Sequence, residues 1–416
     1  MRRKVVVVVD AVSTGTALAA AFRAYGYCCV HVMSSPAANA RTSSLLPSDH
    51  DFVATYDFAS LAIKGIEREL AKFDVEFAIA GTDSGIEIAD LLSERLNLPK
   101  RNEFALSGTR RDKFLMIDRI RAMNLPAPWQ FKANSLEEAI SNLELQSALP
   151  VVVKPARSYG TDGVTVCYSP QQFREAVETA LLRTSRCAEG NRYVVVQEYL
   201  QGDEYHVDTV SCDGFHKMIA IWKGERNRCG APFPYKTTLV SRQEEHEEIE
   251  SYVRSVLGAL GVSWGPANTD VMWTPAGPKL IELNARLHGS LELLPVSLAI
   301  GTNQPLETAK AYIDPDGFMR EAGPPRKLRN SCAKVFLISP LRGILKQEPK
   351  WELLEKLPSY RGVVKKYYVG KEVTPTADML TTPGIVFLTS KSDEELMKDY
   401  GAIRELEKGG YYSDLV

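Results

Sequence analysis

The sequence predicts an α/β protein that begins with a Rossmann-like unit and continues into α+β regions of mixed strands and helices. The first hundred residues alternate apolar, β-branched strands with helical patterns, which is typical of right-handed βαβ units on a parallel sheet. The strands are expected at 5–9, 28–33 and 77–80, and the helices at 16–25, 61–73 and 85–96. The 416 residues allow two or three domains, and 44% hydrophobic and 25% charged residues are typical of a soluble globular protein.

The first strand must be distinguished from a targeting signal, because three basic residues, 2–4, precede the apolar run Val5–Val9. That run is shorter than the roughly seven residues that the apolar core of a signal peptide needs, and Asp10 ends it. We therefore interpret it as a buried strand and expect a cytoplasmic protein. The formal net charge is −2, so bulk electrostatic binding to nucleic acid or to an anionic membrane is not expected. No apolar stretch approaches the about 18 residues of a membrane-spanning helix.

Several common sites are missing from the sequence. No GxGxxG follows the first strand and no GxxxxGK[ST] occurs, which argues against a standard dinucleotide site and a P-loop. The seven cysteines lack a CxxC pair, and the six histidines form no HxxxH or Cys/His cluster. Their odd number and irregular spacing are typical of reduced thiols, so neither a disulfide framework nor a zinc site is expected.

Prolines and helix caps mark the boundaries in the rest of the chain. A charged helix is expected at 110–123, and the prolines at 126–128 follow it as a boundary. Two capping boxes, Ser135-Leu-Glu-Glu138 and Ser169-Pro-Gln-Gln172, predict the starts of two helices. The basic, proline-rich segment 323–329 is interpreted as a linker. Three further strands are expected at 333–338, 363–369 and 385–389, and a helix is expected to begin at Ser392.

The most informative pattern is a β-hairpin whose turn is Thr274-Pro-Ala-Gly-Pro278. A hairpin centred on residue 276 places Asp270 opposite Glu282. Asn284 lies two residues beyond Glu282 and therefore on the same face. The other face is apolar and is expected to pack in the core, and it comprises Val271, Trp273, Ile281 and Leu283.

Two carboxylates on one face of such a hairpin lie about 5 Å apart and repel each other unless something neutralises them. A hard divalent cation can do so. Oxygen ligands suit Mg²⁺, which commonly takes one or two carboxylates together with substrate phosphates. The pattern also fits an exposed polar face on which Asp270 and Glu282 are simply solvated, and the hairpin alone leaves both interpretations open.

Two other segments hold groups suited to a nucleotide. Lys154 ends an apolar strand and precedes the glycine- and serine-containing loop 156–163, so its ammonium and the backbone N–H groups of the loop can bind phosphate. A second apolar strand, from Tyr193, runs into Glu198-Tyr-Leu200, which can present backbone donors and acceptors to a purine. Glu204 can accept hydrogen bonds from ribose hydroxyls. Taken singly, each segment is ordinary.

In their order and spacing these segments strongly resemble the ATP-grasp superfamily. The matching motifs are Asp112-Lys113, Lys154-Pro155, Ser158-Tyr-Gly-Thr-Asp-Gly163, Gln197-Glu-Tyr-Leu200, Glu204, and Asp270 with Glu282-Leu-Asn-Ala-Arg286. The resemblance extends over about residues 75–300, and within the superfamily the chain is similar to the L-amino-acid ligases, or dipeptide synthetases. It implies an ATP-grasp fold with a Rossmann-like N-terminal domain at 1–111, central and catalytic ATP-grasp subdomains at 112–315, and a C-terminal α+β lobe at 316–416.

The resemblance also implies ATP and one or two Mg²⁺ ions as cofactors. The residues that it implies at the nucleotide are Lys113, Lys154, Ser158, Gly160, Thr161, Gly163, Gln197, Glu198, Tyr199, Leu200 and Glu204. Lys113 and Lys154 would hold the α- and β-phosphates. Asp270, Glu282 and Asn284 would hold the metal. Arg286 would contact the γ-phosphate and the acyl-phosphate, and Arg286 and Lys154 are the implied catalytic residues.

Two positions depart from the family's pattern. The family's metal pair is usually two glutamates, whereas Asp270 is one methylene shorter. Relatives often carry Gly-Gly after the arginine, whereas this chain has Gly289-Ser290. The surroundings of the acyl group are therefore expected to differ.

The reaction that the resemblance implies begins when a carboxylate attacks the γ-phosphorus of ATP. An amine then attacks the acyl-phosphate, phosphate leaves, and an amide or peptide bond results. Phosphoryl transfer depends mostly on positioning and charge neutralisation, which lysines, magnesium and an arginine supply. The oxyanion of the second step needs donors, and Arg286 with the backbone N–H groups near Gly289 and Ser290 can supply them.

Several residues are candidates for binding the small carboxylate and amine substrates. The basic segment 222–236 lies where the family's substrate loop often lies, and it is either that loop or a solvated one. His206 and His288 flank the expected centre but are equally candidates for structural hydrogen bonds. The turn around Asp83 either offers backbone N–H groups to a substrate carboxylate or is a plain strand–helix turn. The substrate candidates are Arg286, His288, Gly289, Ser290, His206, Lys223, Arg226 and Asp83.

Three functions are compatible with these residues. The first is a carboxylate–amine ligase that joins an L-amino acid to another amino acid or to a small organic acid. The second is an ATP-grasp carboxylase that uses bicarbonate through carboxyphosphate, and the third is a non-catalytic nucleotide-binding module. Arg286 argues against the module, because a protein that only senses ATP needs no γ-phosphate arginine. We predict the ligase, and its resemblance to dimeric relatives implies a homodimer.

Overall fold

The computed structural model describes residues 3–35, 51–146, 149–158, 162–182, 193–226, 234–243, 246–321, 323 and 326–416. Within these ranges the strands are β1 Lys4–Val9, β2 Cys28–Met33, β3 Ala54–Asp57, β4 Asp74–Ala80, β5 Gln130–Ala133, β6 Val151–Pro155, β7 Thr165–Cys167, β8 Val194–Glu198, β9 Asp203–Cys212, β10 Phe215–Arg226, β11 Pro234–Leu239, β12 Gly265–Thr274, β13 Gly277–Asn284, β14 Ser331–Phe336, β15 Gly343–Ile344, β16 Tyr360–Lys365, β17 Glu372–Val373 and β18 Gly384–Ser390. The helices are α1 Ala17–Arg23, α2 Phe58–Leu70, α3 Ile86–Arg95, α4 Lys113–Ala122, α5 Leu136–Gln146, α6 Pro170–Leu182, α7 Glu247–Ala259, α8 Leu293–Ile300, α9 Gln304–Ile313, α10 Pro315–Arg320, α11 Glu352–Glu355 and α12 Asp393–Lys408.

The N-terminal strands form a parallel sheet in the order β3-β2-β1-β4. The Rossmann-like prediction is therefore confirmed, and the apolar run Val5–Val9 is completely buried in β1. Helix α2 begins at Phe58 rather than at 61, because the side chain of Asp57 caps it by accepting a hydrogen bond from the N–H of Ala59 at 2.9 Å.

A second, antiparallel sheet has the order β5-β8-β6-β7 and packs against α5 and α6. Both predicted capping boxes open these helices. The Ser135 hydroxyl oxygen accepts from the N–H of Glu138 at 3.2 Å, and the Ser169 hydroxyl oxygen accepts from the N–H of Gln172 at 3.3 Å. The boxes are local signals, since each hydrogen bond joins residues three apart.

The largest sheet has the order β13-β12-β9-β10-β11-β14-β18-β16. It contains strands from both sides of residue 315, where the sequence places the start of the C-terminal lobe. Strands β14, β18 and β16 therefore extend the sheet that carries the β12–β13 hairpin, and α12 packs on them. The domain boundaries themselves stay predictions.

The segment 222–236 is not a loop along its whole length, and that prediction is wrong at both ends. The ends belong to β10 and β11, which pair antiparallel. Glu225 and Lys236 lie directly opposite each other and form an ion pair of 2.9 Å. These charges therefore stabilise a strand pair, as opposite charges across a ladder do. The tip, 227–233, lies outside the described residues.

The β12–β13 hairpin has the predicted pairing at one end and a different pairing at its turn. Asp270 lies opposite Glu282, as predicted, but Thr274 lies opposite Gly277, so the turn is centred half a residue earlier than expected. A β-bulge between Asp270 and Val271 accommodates the extra residue on β13 and restores the predicted pairing beyond it.

The bulge changes one part of the predicted core. Val271 and Leu283 are fully buried, as the apolar face predicts, and Trp273 packs against the same cluster. Ile281 is only half-buried, and that prediction is wrong because Ile281 is the extra residue of the bulge. Its neighbour Leu280 takes the fully buried position instead.

Two further expectations concern membranes and thiols. In the described part of the chain, no helix has the length and apolar character needed to cross a membrane. Five of the cysteines are described and are free thiols, namely Cys28, Cys29, Cys167, Cys212 and Cys332.

Replacing Leu280 by alanine should destabilise the protein more than replacing Ile281. Leu280→Ala removes a fully buried side chain and should lower the free energy of unfolding by about 2–5 kcal/mol. Ile281→Ala shortens a half-buried side chain and should lower it by clearly less. Urea unfolding of the two variants beside the parent measures the difference, and the reverse ranking would contradict the bulge.

Candidate active site

Three sheets meet at the candidate site, and two ion pairs join them. Lys279 on β13 pairs with Glu198 at the end of β8 at 2.9 Å, which joins the largest sheet to the small antiparallel sheet. Arg286, just after β13, pairs with Asp83, just after β4, at 3.0 Å, which joins the largest sheet to the parallel sheet. Most of the predicted site residues converge at this junction.

Lys113 is the first residue of α4, and the local sequence explains its position. The side chain of Asp112 caps the helix by accepting from two backbone N–H groups of its first turn, at 2.9 and 3.1 Å. The ammonium of Lys113 donates to the carbonyl oxygen of Ser158 at 2.9 Å and lies 2.9 Å from Oε1 of Glu282. A lysine predicted to bind phosphate therefore contacts a carboxylate predicted to bind metal.

Lys154 is buried near the end of β6. Its ammonium donates to the side-chain oxygen of Gln197 on β8 at 2.8 Å, and Gln197 donates in turn to Gln130 on β5 at 3.3 Å. Gln197 therefore orients the lysine. Burial, together with the charge of Lys113, lowers the pKa of Lys154 to about 7 against the opposing effect of Glu282.

Asp270 is held by a histidine on the neighbouring strand. Its Oδ1 atom lies 2.7 Å from Nδ1 of His206 on β9. Burial raises the pKa of Asp270, but His206, together with Arg286, lowers it by more, and the net pKa is below its usual value. Burial lowers the pKa of His206, but the carboxylates of Asp270 and Glu204 outweigh this, and its net pKa is raised. Both pKa shifts favour a protonated His206 beside an ionised Asp270.

Asn284 completes the predicted metal-binding face and connects it to the parallel sheet. Its amide nitrogen, oriented as the surrounding acceptors require, donates to Oδ1 of Asp83 at 2.7 Å and to Oε1 of Glu282 at 3.2 Å. Asn284 therefore connects Glu282 to Asp83, whereas Asp270, on the same face, has His206 as its partner.

The donors on this face suit a magnesium ion that also binds a nucleotide. The side chains of Asp270 and Glu282 keep 21% and 20% of their surface exposed, so an ion can reach both carboxylates. Across the described ranges, no group of three or more His, Cys, Asp or Glu side chains is placed to hold a metal ion. A metal here therefore needs further oxygen ligands, and Mg²⁺ commonly takes them from substrate phosphates.

Arg286 is held by the N-terminal part of the chain. Its Nε donates to Oδ2 of Asp83 at 3.0 Å, and its Nη1 donates to the carbonyl oxygen of Leu287 at 2.9 Å. Burial raises the pKa of Asp83, but Arg286, Arg111 and Lys113 lower it below its usual range. The side chain of Asp83 therefore contacts the arginine as a carboxylate, and binding of a substrate by this turn stays a prediction.

The residues after Arg286 contact the loop that follows β1. The N–H of Ser290 donates to the hydroxyl oxygen of Ser13 at 3.1 Å. That N–H, expected as an oxyanion donor, already has a partner here, which leaves Arg286 and the N–H of Gly289 as the candidates. Ser290 has a φ of 53°, a region that glycine adopts without strain, and this explains the glycine that relatives often have at this position.

The segment predicted to contact the purine, 198–200, begins at the last residue of β8. The carboxylate of Glu198 is bound to Lys279 at 2.9 and 3.0 Å, and contact of the backbone at 198–200 with a base stays a prediction. Leu200 is buried, and the ring of Tyr199 lies edge-on to that of Tyr168, with centroids 6.1 Å apart.

The remaining predicted residues have less defined positions. Glu204 is buried on β9, beside the hairpin. Lys223 pairs with Asp203 at 2.7 Å, and the two side chains are 39% and 54% exposed, respectively. This exposure favours a solvated charge at Lys223 over a substrate contact. Gly163 has a φ of +72°. Gly160, Thr161 and the side chain of Arg226 lie outside the described residues.

Sequence reasoning missed two residues of the site, Asp208 and Lys334. Asp208 on β9 accepts from Nδ1 of His288 at 2.9 Å, and the ammonium of Lys334 on β14 lies 2.8 Å from Nε2 of the same ring. Burial lowers the pKa of His288 to about 4, so the ring is neutral. The available signal was a single lysine inside the apolar strand expected at 333–338.

The match to the ATP-grasp domain family covers residues 110–290, the span that contains the lysines, the hairpin and the arginine described above. Residues 110–290 therefore match an ATP-grasp domain, and the similarities below support an ATP-dependent ligase that forms a carbon–nitrogen bond.

Its relatives include a synthase that is similar over the whole chain. Dapdiamide A synthase of Enterobacter agglomerans is 29% identical over 424 residues, which cover 100% of this chain and 98% of that protein. The solved L-amino acid ligase from Bacillus licheniformis has a TM-score of 0.77 and 18% identity over 97% of this chain and 98% of its own. Carboxyaminoimidazole ribonucleotide synthase from Aspergillus clavatus, complexed with ATP, has a TM-score of 0.72 and 13% identity. The match covers 98% of this chain and 99% of that protein. The structural matches show a shared fold.

Binding of ATP should take up a proton at pH 8 and much less at pH 6. The pKa of Lys154 is lowered to about 7, so the lysine is mostly neutral at pH 8 and phosphate favours its charged form. Calorimetric titration in two buffers of different ionisation enthalpy measures the uptake. Lys154→Arg, which stays charged, is the matched control and should abolish the difference. Equal uptake in the parent and in this variant would contradict the prediction.

Proposed function

We propose that this protein couples a small carboxylic acid to the amino group of an amino acid through an acyl-phosphate, with release of ADP and phosphate. The contact of 2.9 Å between Lys113 and Glu282 carries the proposal. It sets a phosphate-binding lysine against a metal-binding carboxylate, and a nucleotide with its metal ion binds at such a junction. Phosphate would then replace Glu282 beside Lys113, and the metal would replace Lys113 beside Glu282.

In the first step, a carboxylate oxygen of the substrate attacks the γ-phosphorus of ATP, and the bond from that phosphorus to ADP breaks. Lys113 and Lys154 hold the phosphates, and Arg286 neutralises charge on the group in transfer. Positioning and charge neutralisation of this kind account for most catalysis of phosphoryl transfer.

Asp270, Glu282 and Asn284 would hold one or two Mg²⁺ ions. The bound metal supplies positive charge that neutralises the phosphate oxygens. Nδ1 of His206 lies 2.7 Å from Oδ1 of Asp270 and lowers the pKa of this carboxyl group. The ionised form, which a hard cation binds, is therefore favoured.

In the second step, the amine attacks the acyl carbon and phosphate leaves. A free α-amine with a pKa near 8 is partly neutral at physiological pH, so the step needs no dedicated base. Arg286 and the N–H of Gly289 would donate to the oxyanion. Donors of this kind are effective because their geometry is fixed before the reaction begins.

The substrate class rests on two relatives. One, similar over the whole chain, is a dapdiamide A synthase, and a structural neighbour is an L-amino acid ligase. From these two relatives we infer that this chain also acts on amino acids. A carboxylase that activates bicarbonate as carboxyphosphate is the second candidate, because the carboxyaminoimidazole ribonucleotide synthase shares the fold over 98% of this chain.

Three further expectations are part of this proposal. The enzyme is a homodimer with small-molecule partners, with neither nucleic acid nor membrane bound. It is cytoplasmic, with reduced thiols. Its domains extend over 1–111, 112–315 and 316–416.

Phosphate release from ATP and Mg²⁺ should require one carboxylate and one amine together. A matrix of amino acids, small dicarboxylates and bicarbonate identifies the pair. Release with bicarbonate and an amine alone would favour the carboxylase. Release with ATP alone, at the same rate as with every pair, would contradict both functions.

Glu282→Gln should abolish turnover and leave the fold intact, because it removes a charge but little volume. We expect a loss of at least about 100-fold in phosphate release, as for loss of a group that stabilises transition-state charge, and a circular dichroism spectrum like that of the parent. Glu307→Gln is the matched control. Glu307 forms an ion pair of 3.4 Å with Lys217 and has no contact with the predicted site residues among its hydrogen bonds and ion pairs. Turnover near that of the parent in Glu282→Gln would contradict the metal assignment.

A further inference from the structure

Two side chains of the loop after β1 hold the turn that follows Arg286. The N–H of Ser290 donates to the hydroxyl oxygen of Ser13 at 3.1 Å, and the N–H of Leu291 donates to that of Thr14 at 3.0 Å. Both contacts join residues that are 277 positions apart in the chain. The proposed reaction gives neither hydroxyl a task of its own.

The same turn contains one N–H group that is left open. On its other side, the N–H of His288 donates at 2.9 Å to the side-chain oxygen of Gln304, whose amide nitrogen donates to two backbone carbonyl oxygens of the largest sheet at 3.0 Å. Between these held positions lies Gly289, whose N–H has no hydrogen bond to a described residue. A Cβ atom added at Gly289 would have no atom of the described chain within 4 Å apart from those of its two neighbours. Open space therefore adjoins this residue.

The turn needs its partners because its backbone is strained. Ser290 has a φ of 53°, a left-handed conformation in which the Cβ atom of an L-residue is crowded. Without a partner, the serine would relax towards negative φ, and this would redirect its neighbour Gly289. The glycine that relatives often have at this position adopts the conformation without strain, whereas this chain holds a serine there by the hydrogen bond to Ser13.

The loop that supplies Ser13 is itself fixed by close packing. A Cβ atom at Gly15 would lie 2.4 Å from the carbonyl oxygen of Gly81, just after β4, and one at Gly81 would lie 2.5 Å from the carbonyl oxygen of Asp10. Only glycine allows backbones to approach so closely. The loop with Ser13 and the turn with Asp83 therefore pack as one block, and both candidate donors to the oxyanion are held by it.

We propose that Ser13 and Thr14 are positioning residues that direct the N–H of Gly289 at the carbonyl oxygen of the acyl-phosphate. The inference rests on the proposed function. In the second step that oxygen gains negative charge as the amine attacks, and a donor is most effective if its direction is fixed beforehand. Neither hydroxyl contacts the substrate in this role, because each acts through the backbone of the turn. The N-terminal unit thereby controls the second step of the reaction.

The test measures ADP and amide formation in the same single turnover, stopped by rapid quenching. Ser13→Ala should slow amide formation by about 10- to 100-fold, as for a donor that moves by about 1 Å. The rate of ADP formation and KM for ATP should stay close to those of the parent. Thr14→Val, which removes the other hydroxyl with little change of shape, is the second variant with the same expected result. A general loss of structure would slow both products equally.

Rescue by glycine separates this role from a loss of stability. Because Ser290→Gly removes the strain at residue 290, adding it to Ser13→Ala should recover amide formation to within about 3-fold of the parent. Asp213→Gly, at a φ of 49° in the turn between β9 and β10, is the matched control and should give no recovery. Ser392→Ala removes a hydroxyl that accepts from the N–H of Glu395 at 3.2 Å, at the start of α12, and should leave both rates unchanged.

Three results would overturn the inference and leave the ligase intact. They are equal losses in ADP and amide formation, parent-like amide formation in both Ser13→Ala and Thr14→Val, and recovery that is no greater with Ser290→Gly than with Asp213→Gly. Failure of the parent to form ADP and amide with any pair of carboxylate and amine would overturn the proposed function and the inference with it.

Discussion

Neutralisation of buried charge between sheets is the interaction on which the site depends. Lys113 on α4 meets Glu282 on the largest sheet, and Arg286 on that sheet meets Asp83 after the parallel sheet. Removal of one partner from a buried ion pair costs roughly 3–5 kcal/mol because the other charge is left uncompensated. These pairs join α4 and the parallel sheet to the largest sheet, and the pair of Lys279 with Glu198 joins the small antiparallel sheet to it.

This arrangement explains how one junction can accept a highly charged ligand. In the proposed function, ATP and a metal ion bring negative and positive charge together, so each group of the Lys113–Glu282 pair would exchange its partner for a ligand of opposite charge. Lys154 differs from Lys113 in this respect. It has an amide, from Gln197, as its partner, and in the proposed function the phosphates of ATP are its counter-ion. Since these groups are fixed before the ligand binds, little reorganisation is needed during the reaction.

The parts of the structure that the sequence predicts are those fixed by contacts between residues close together in the chain. The capping boxes involve residues three apart, and Asp112 caps the helix that presents Lys113. The pairing of Asp270 with Glu282 follows from hairpin arithmetic, yet the predicted turn is half a residue late and a bulge compensates for it. The segment 222–236 was interpreted as a loop because its charges suggest solvent, whereas strand pairing places opposite charges together.

The sequence alone determined the class of the enzyme and the order of its candidate nucleotide- and metal-binding groups, because the order and spacing of short motifs are properties of the sequence itself. Only the tertiary structure decided that Asp208 and Lys334 lie on either side of His288. Strands β9 and β14 belong to one sheet, with β10 and β11 between them. That strand order depends on the packing of the whole sheet, so no local pattern around Lys334 contains it. The same order brings a strand from beyond residue 315 to the site.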